Sequence, residues 1–338
     1  MKKYLIGGIA LMSMASAAYA QTNVVIFGII DTFIQYTNTG NGYTTAIDSS
    51  GLYGTRWGVK GSEDLGGGAK LDFILEQGFK GDTGAAADPT RVFSRQSWLG
   101  ISNGMGQVRI GRQNALMFLN EGRLDAFVGA SMASGLNNFS TYSVRTDKTV
   151  SYFSPKLGPI QFQVYYGMGT TGGHRGPNGS YSAAVNYDAK RFHLALVQQA
   201  VRNALGTDTQ KALYGGGSYD FEPLTAYVAY HKAKSPLAGI DKEVLSLSAK
   251  FHLTPVSDFS LGYSYLKDQT AKHNDARQIG AMYLYYLSKR TQVYTTLSYL
   301  RNTGTGMYVL GGAAVAGIPL ASPGASPMGA QLGLVHFF

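Results

Sequence analysis

With 338 residues, 44 glycines, 23 tyrosines, 10 prolines and 2 tryptophans, the chain is composed for strands with tight bends and interfacial rings rather than for helical domains. Cysteine is absent, which excludes a disulfide framework and leaves cohesion to hydrogen bonding, packing or assembly. The formal charge of +9 is dispersed, with no tight Lys/Arg run of the kind that marks nucleic-acid binding.

The chain opens MKKYLIGGIALMSMASAAYA: Lys2 and Lys3, an apolar stretch from Tyr4 to Ala17, then the small residues Ala18 and Ala20 before Gln21. This is the layout of a cleaved secretory signal peptide at residues 1–20, too short to span a membrane, followed by an exported mature chain, 21–338. Without Lys2 and Lys3, 27 basic residues stand against 20 acidic ones, a formal +7.

From Asn23 onward, segments of period two recur and no helical period is sustained. They begin with NVVIFGIIDTFIQY, GTRWGVKG and KLDFILEQGF, and continue through RQSWLGIS, QVRIGR, TVSYFSP, IQFQVYYGM and YSAAVNYD. Then come RFHLALVQQAV, KALYGGGSYDF, LTAYVAYHKA and EVLSLSAKFHL, and finally DFSLGYSYLKD, ARQIGAMYLYYL, TQVYTTLSYL and GAQLGLVHFF, sixteen in all. Their lengths cluster around ten residues, the span of a tilted strand crossing an outer membrane. Short connections with turn chemistry (DLGGG, NGMG, PKLGP, DAKR, FEP, LTPVSD, LSKR) alternate with long ones, among them 37–52, 81–90, 114–148 and 301–327. The pattern predicts a sixteen-stranded antiparallel transmembrane β-barrel with short turns at one end and long loops at the other. A soluble sandwich or propeller does not require that alternation. From Thr303 to Val335 no charge occurs, but Pro319, Pro323 and Pro327 break a membrane helix, so this stretch reads as a long loop leading into the last strand. That strand ends on an aromatic, Phe338, as a barrel's interfacial girdle requires.

Alternation also assigns faces. Along the second and third segments one face carries Trp57, Val59, Leu71, Phe73, Leu75 and Phe79, and the other Arg56, Lys60, Lys70, Asp72, Glu76 and Lys80. A lipid-facing Arg or Lys costs about 2–4 kcal/mol at the bilayer midplane, so charges of one parity belong to a water-filled lumen. The 114–144 segment contains NALMFLNEGRLDAFVGASMASG, too apolar for disorder, and is expected to pack on the inner wall. GISNG at 100–104 fits a hydrolase nucleophile elbow in letters only, because another strand follows where a helix is needed. The six histidines, His174, His193, His231, His252, His273 and His336, show no metal-ligand spacing, LGGGAK lacks the lysine-serine pair of a phosphate loop, and no cofactor is implied.

The strings VVIFGIIDTFIQY, GTRWGVKGSEDLGGGAKLDFILEQGF, FSRQSWLGISNGMGQVRIGRQ, SYFSPKLGPIQF, YYLSKRTQVYTTLSYLRN and GASPMGAQLGLVHFF together resemble the general porins of Gram-negative outer membranes, particularly those of β-proteobacteria. The resemblance implies a homotrimeric barrel in outer-membrane lipid and lipopolysaccharide, with the third extracellular loop folded inward. It also implies a constriction with Arg56, Arg95 and Arg145, helped by Lys60, facing the acids Glu76 and Asp125. Arg95 shares its parity with Leu99 and Ile101, which look outward; a bulge, or burial of both faces at a trimer interface, would reconcile it. Two departures from the family stand out: Lys148 replaces a usual asparagine, and the loop lacks a Gly-rich acidic motif. The expected function is passive diffusion of small hydrophilic solutes and ions with a mild preference for anions. A substrate-specific channel is the alternative. An outer-membrane barrel enzyme would need a Ser/His pair, of which none convinces, and an adhesin would not conduct.

Overall fold

The structure, a computed structural model, describes residues 23–128, 130–170 and 176–338; the expected signal peptide and His174 lie outside the described residues. Among them, antiparallel strands follow one another around a ring: β1 (Asn23–Asn38), β2 (Tyr43–Ser49), β3 (Arg56–Gly66), β4 (Ala69–Gly78), β5 (Gln96–Asn103) and β6 (Gly106–Asn114). Two short helices, α1 (Leu116–Glu121) and α2 (Gly135–Phe139), precede β7 (Arg145–Phe153), β8 (Ile160–Gly167), β9 (Ser180–Asp188), β10 (Phe192–Arg202) and β11 (Thr209–Asp220). The ring is completed by β12 (Leu224–Ser235), β13 (Ile240–Thr254), β14 (Ser257–Asp268), β15 (Ala276–Ser288), β16 (Thr291–Asn302) and β17 (Met328–Phe337).

On one side β1 has two neighbours: its residues 32–38 pair with β2 and its residues 23–29 with β3. Strands β2 and β3 are therefore two halves of one stave, and seventeen strands make the sixteen staves that the sequence pattern predicts. On its other side β1 pairs with β17 and closes the barrel. Gly28 and Phe338 exchange both backbone hydrogen bonds, at 3.0 and 3.1 Å, so the seam is stitched to the final residue. Closure leaves no sheet edge to be solvated, the condition for a sheet to cross lipid. By its pattern 37–52 is a loop, whereas in the structure Tyr43–Ser49 extends the first hairpin; Thr44, Thr45 and Ile47 are β-branched and suit a strand despite the polar neighbours that mask it.

The two faces differ as alternation requires. Ile30 and Ile34 of β1, Leu99 and Ile101 of β5, Leu245 and Leu247 of β13, and Leu332 and Leu334 of β17 are exposed outside, while Asp31, Gln35, Ser246, Ser248 and Gln331 of the same strands are buried within. An apolar belt around a polar interior is the pattern of a barrel solvated by hydrocarbon. GISNG spans the end of β5 and the turn into β6, a hairpin rather than a strand-to-helix elbow.

The third loop, 115–144, runs inside the barrel. Its helix α1 packs against β8–β11 and α2 against β13–β15, burying Leu116, Met117, Leu124, Met132, Leu136 and Phe139 against the wall. The wall is cut to receive it: a Cβ at Gly280 would lie 2.0 Å from the Ala133 carbonyl oxygen, so only glycine lets the loop backbone come that close. Inward-pointing side chains satisfy the loop's polar backbone. Gln278 Nε2 donates to the Met132 carbonyl at 2.9 Å, Ser260 Oγ to the Ala126 carbonyl at 2.9 Å, and Gln199 bonds both the N–H and the carbonyl of Ser143. Ser134 caps α2 by accepting from the Asn137 N–H at 3.1 Å.

A second segment also turns inward. In the eighth long loop, 303–327, the Gly311 N–H donates to Asn138 Oδ1 of the third loop at 3.0 Å. The Ala313 and Ala314 N–H groups approach the carbonyls of Gly51 and Ser50 at 3.4 and 3.3 Å. Leu310 and Val315 are drawn into the apolar clusters beneath. The loop tip thus bridges the third loop and the shelf of residues 50–55 that separates β2 from β3.

Candidate pore constriction

That shelf is set by one buried carboxylate. Asp31 of β1 points into the barrel, where its Oδ2 accepts the Leu52 and Tyr53 N–H groups, each at 2.6 Å, and its Oδ1 accepts the Tyr294 hydroxyl at 2.9 Å. The chain between β2 and β3 is thereby drawn off the wall. Three of the sequence-predicted site residues converge just below it. Arg56 opens β3, Glu76 lies near the end of β4 and Arg95 precedes β5, so adjacent staves juxtapose them. Arg95 Nε donates to Glu76 Oε1 at 2.6 Å, and Arg56 Nε lies 3.5 Å from Oε2. Arg56 Nη1 also donates to the Gly54 carbonyl at 2.9 Å. A Cβ at position 54 would fall 2.6 Å from Arg95 Nη1, so the bare glycine backbone of the shelf is what leaves room for this guanidinium.

The parity of Arg95 is resolved at the strand end. Regular pairing of β4 with β5 stops at Glu76 opposite Gln96. The residue before it keeps one bond, its N–H to the Glu76 carbonyl at 3.1 Å, and turns inward. Arg145, the first residue of β7, places its guanidinium 5.7 Å from the Phe118 ring centroid. Its buried Nε meets no hydrogen-bond partner among the described residues.

The other two predicted residues lie elsewhere. Asp125 is buried, with Oδ1 accepting from Ser248 Oγ at 3.2 Å, while the Ala126 N–H donates to the same hydroxyl. Its carboxylate serves to seat the loop on β13 and does not line the lumen beside the arginines. Lys60 lies four residues from Arg56, about 13 Å along the strand. With Asp72 and Arg109 it lines a separate cavity of about 420 Å³ at the short-turn end. Of the two expected acids, Glu76 lies on the stave beside Arg56 and contacts both Arg56 and Arg95, while Asp125 of the third loop is turned toward Ser248 of β13.

Between the arginine wall and the third loop lies a cleft of about 300 Å³. Its charged lining residues are Arg56, Arg95 and Glu76. Toward the long loops, a second cavity of about 480 Å³ is lined by Lys80, Arg95, Arg112 and Arg145 with Asp48 and Asp88. Sequence reasoning missed Arg112, which occupies a bulge between Gly111 and Gln113 where alternation gives no signal. It pairs with Asp147 and donates from Nε to the Ser94 carbonyl at 2.7 Å. Arg109, stacked 4.4 Å from Trp98 and 4.2 Å from Phe153, shares the inward parity of Gln107 and was open to detection. Asp31 gave no sign of its role, because its partners are 21 to 263 positions away.

A sixteen-stave barrel with one loop folded through it and basic residues at the narrowing is a solute channel in form. Residues 7–305 match the sequence profile of the Gram-negative porin family. The chain belongs to the Gram-negative porins. This porin is similar to outer membrane porin protein 32 of Delftia acidovorans, 29% identical with both chains fully covered. It is also similar to an outer membrane porin protein of Bordetella pertussis, 29% identical over 89% of this chain and 95% of that one. Among solved structures, it resembles an anion-selective porin from Comamonas acidovorans with a TM-score of 0.80 at 27% identity, covering 94% of this chain and all of the other. The trimer form of OmpT from Vibrio cholerae shares the fold, with a TM-score of 0.72 at 15% identity over 94% of this chain and 99% of that one. The porin is an outer-membrane channel and not an enzyme.

Proposed function

We propose that this porin passes small hydrophilic solutes and ions by passive diffusion, with a mild preference for anions, and that Arg56, Arg95 and Arg145 with Glu76 form its selective constriction. The observation that carries this reading is the charge balance of the narrowing, where two arginines surround one carboxylate in the cleft and Arg145 stands just above it. Low-dielectric walls weaken screening there, so the surplus positive charge lowers the barrier for anions. Asp125 contributes indirectly by seating the loop, and Lys60 extends the positive potential toward the periplasm. The structural relative named as anion-selective agrees with this direction.

Reversal potentials in a salt gradient across a planar bilayer test the reading. Chloride over potassium preference is expected, and cation preference refutes it. The double variant Arg56→Ser, Arg95→Ser is expected to raise conductance and reduce the preference. We further infer a homotrimer embedded in outer-membrane lipid and lipopolysaccharide, to be read as channel closure in three equal steps.

A further inference from the structure

The wall opposite the arginines is not what a purely hydrophilic filter requires. Leu119 of α1 is 38% exposed inside the lumen, where water is its only cover. It lines the cleft together with Leu52, Val128, Val144 and Ala313. Val128 holds φ at 64°, a conformation that costs a β-branched residue energy and is retained only where the surroundings enforce it. Ala313 arrives from the eighth loop, whose residues 303–327 carry no charge and whose tip is tied to the third loop through Asn138 and to the shelf through Gly51 and Ser50. Two separate inward-folded segments thus supply aliphatic side chains at the level where Arg56 and Arg95 supply positive charge.

The geometry points to a cleft that favours carboxylates bearing an apolar body, short aliphatic or aromatic monoacids, over hydrophilic anions of equal charge. This rests on the anion-preferring reading above and adds the class of solute. The carboxylate of such an acid meets the guanidiniums of Arg56 and Arg95, whose planar donors suit it. Its hydrocarbon leaves water against Leu119, Val128 and Ala313. A cleft of about 300 Å³ is large enough for an acid of this size. Arg145 beside the Phe118 ring repeats the pairing of cation and apolar surface one step nearer the mouth. Neither partner alone suffices: chloride gains nothing from the aliphatic side, and a neutral hydrocarbon gains nothing from the arginines.

The test compares hexanoate with gluconate, two six-carbon monocarboxylates that differ in the polarity of the body. Permeabilities relative to chloride come from bi-ionic reversal potentials of the purified full-length porin, each divided by the anion's aqueous mobility. Hexanoate is expected to exceed gluconate roughly fourfold, the value of about one methylene leaving water, and the paired variant Leu119→Asn, Ala313→Ser to reduce that ratio toward one. Both substitutions face the lumen and leave the ladder intact; the heat-modifiable migration of the barrel reports folding. A wild-type ratio of one, with chloride still preferred over potassium, overturns the apolar contribution and leaves the anion reading standing. Loss of the chloride preference itself in the wild type overturns that reading and this inference with it. A ratio that the paired variant leaves at its wild-type value also overturns the inference, because the preference then arises elsewhere in the pore.

Discussion

Arg95 and Glu76 are joined twice, by a backbone hydrogen bond of 3.1 Å and by a carboxylate-guanidinium contact of 2.6 Å, and the same carboxylate reaches Arg56 at 3.5 Å. The acid is therefore the keystone of the basic wall rather than its counterpole. Glu76→Gln leaves two guanidiniums without their counter-charge. Breaking a buried pair from one side costs about 3–5 kcal/mol where water cannot enter, and the lumen beside Arg56 reduces that figure. The expected outcome is a lower melting temperature of the folded barrel together with a reversal potential shifted further toward anions. A variant that melts and selects as the wild type does would show that Glu76 neutralises neither arginine.

What could be read in the sequence follows from what alternation encodes. Arg56 and Glu76 sit in regular ladder at fixed parity, so their lumenal side is legible from neighbours two positions away. Arg95 and Arg112 sit at a strand end and in a bulge, where parity carries no information. Sixteen staves were legible because each needs about ten residues of period two, but β2 was not, since its strand character depends on pairing with β1. The third loop announces itself through apolar residues in an otherwise structureless run. The eighth loop does not, because its inward path is fixed by Asn138, Gly51 and Ser50, far away in the chain. The contact of Asp125 with β13 is hidden for the same reason: its partner Ser248 lies 123 positions on.

Asp31 ties the 50–55 shelf to the wall through two N–H groups at 2.6 Å. Asp31→Ala removes the acceptor for both, and each buried donor left unpaired costs about 1–3 kcal/mol. The shelf also supplies Gly54 to Arg95 and two carbonyls to the eighth loop, so its release loosens three parts of the narrowing together. Reduced thermal stability and a larger, noisier single-channel current are expected, with Asp31→Asn milder because one acceptor oxygen remains. A quiet channel of wild-type conductance in the alanine variant would remove the shelf from the constriction.

The two faces of the barrel predict opposite tolerance to charge. Leu247 is exposed on the outer side of β13, and Leu247→Lys is expected to cost about 2–4 kcal/mol if its level is the bilayer midplane, falling toward zero at the interface. Ser102 faces the lumen, where its Oγ donates to Asp72 at 3.0 Å. There Ser102→Lys gains a counter-charge and is expected to fold as well as the wild type. Urea titration of the barrel in lipid vesicles measures both. Equal tolerance at the two positions would contradict the assignment of hydrocarbon outside and water within.

The third loop carries a buried acid whose protonation sets how firmly the loop is held. Glu121, at the end of α1, accepts from Ser140 Oγ, and its Oε2 lies 3.9 Å from His231 Nδ1. His231 Nε2 in turn accepts the Thr141 N–H at 3.2 Å, so both limbs of the loop meet at this point. Burial, helped by the nearby Asp125 charge and opposed by the Ser140 hydrogen bond, pushes the Glu121 carboxyl from 4.5 up to about 8. Between those values the packed loop retains a proton that the released loop has lost, so release is accompanied by proton loss and becomes easier as pH rises. The contribution of this group to loop stability is complete below the lower value, declines through the window and levels off above about 8. Hydrogen exchange of residues 116–144 is therefore expected to be slower at pH 6.5 than at pH 8.5 after correction for the intrinsic exchange rate. Glu121→Gln, which stays neutral and keeps an acceptor for Ser140, is expected to flatten that dependence. An unchanged slope in the glutamine variant would place the titrating group elsewhere in the loop.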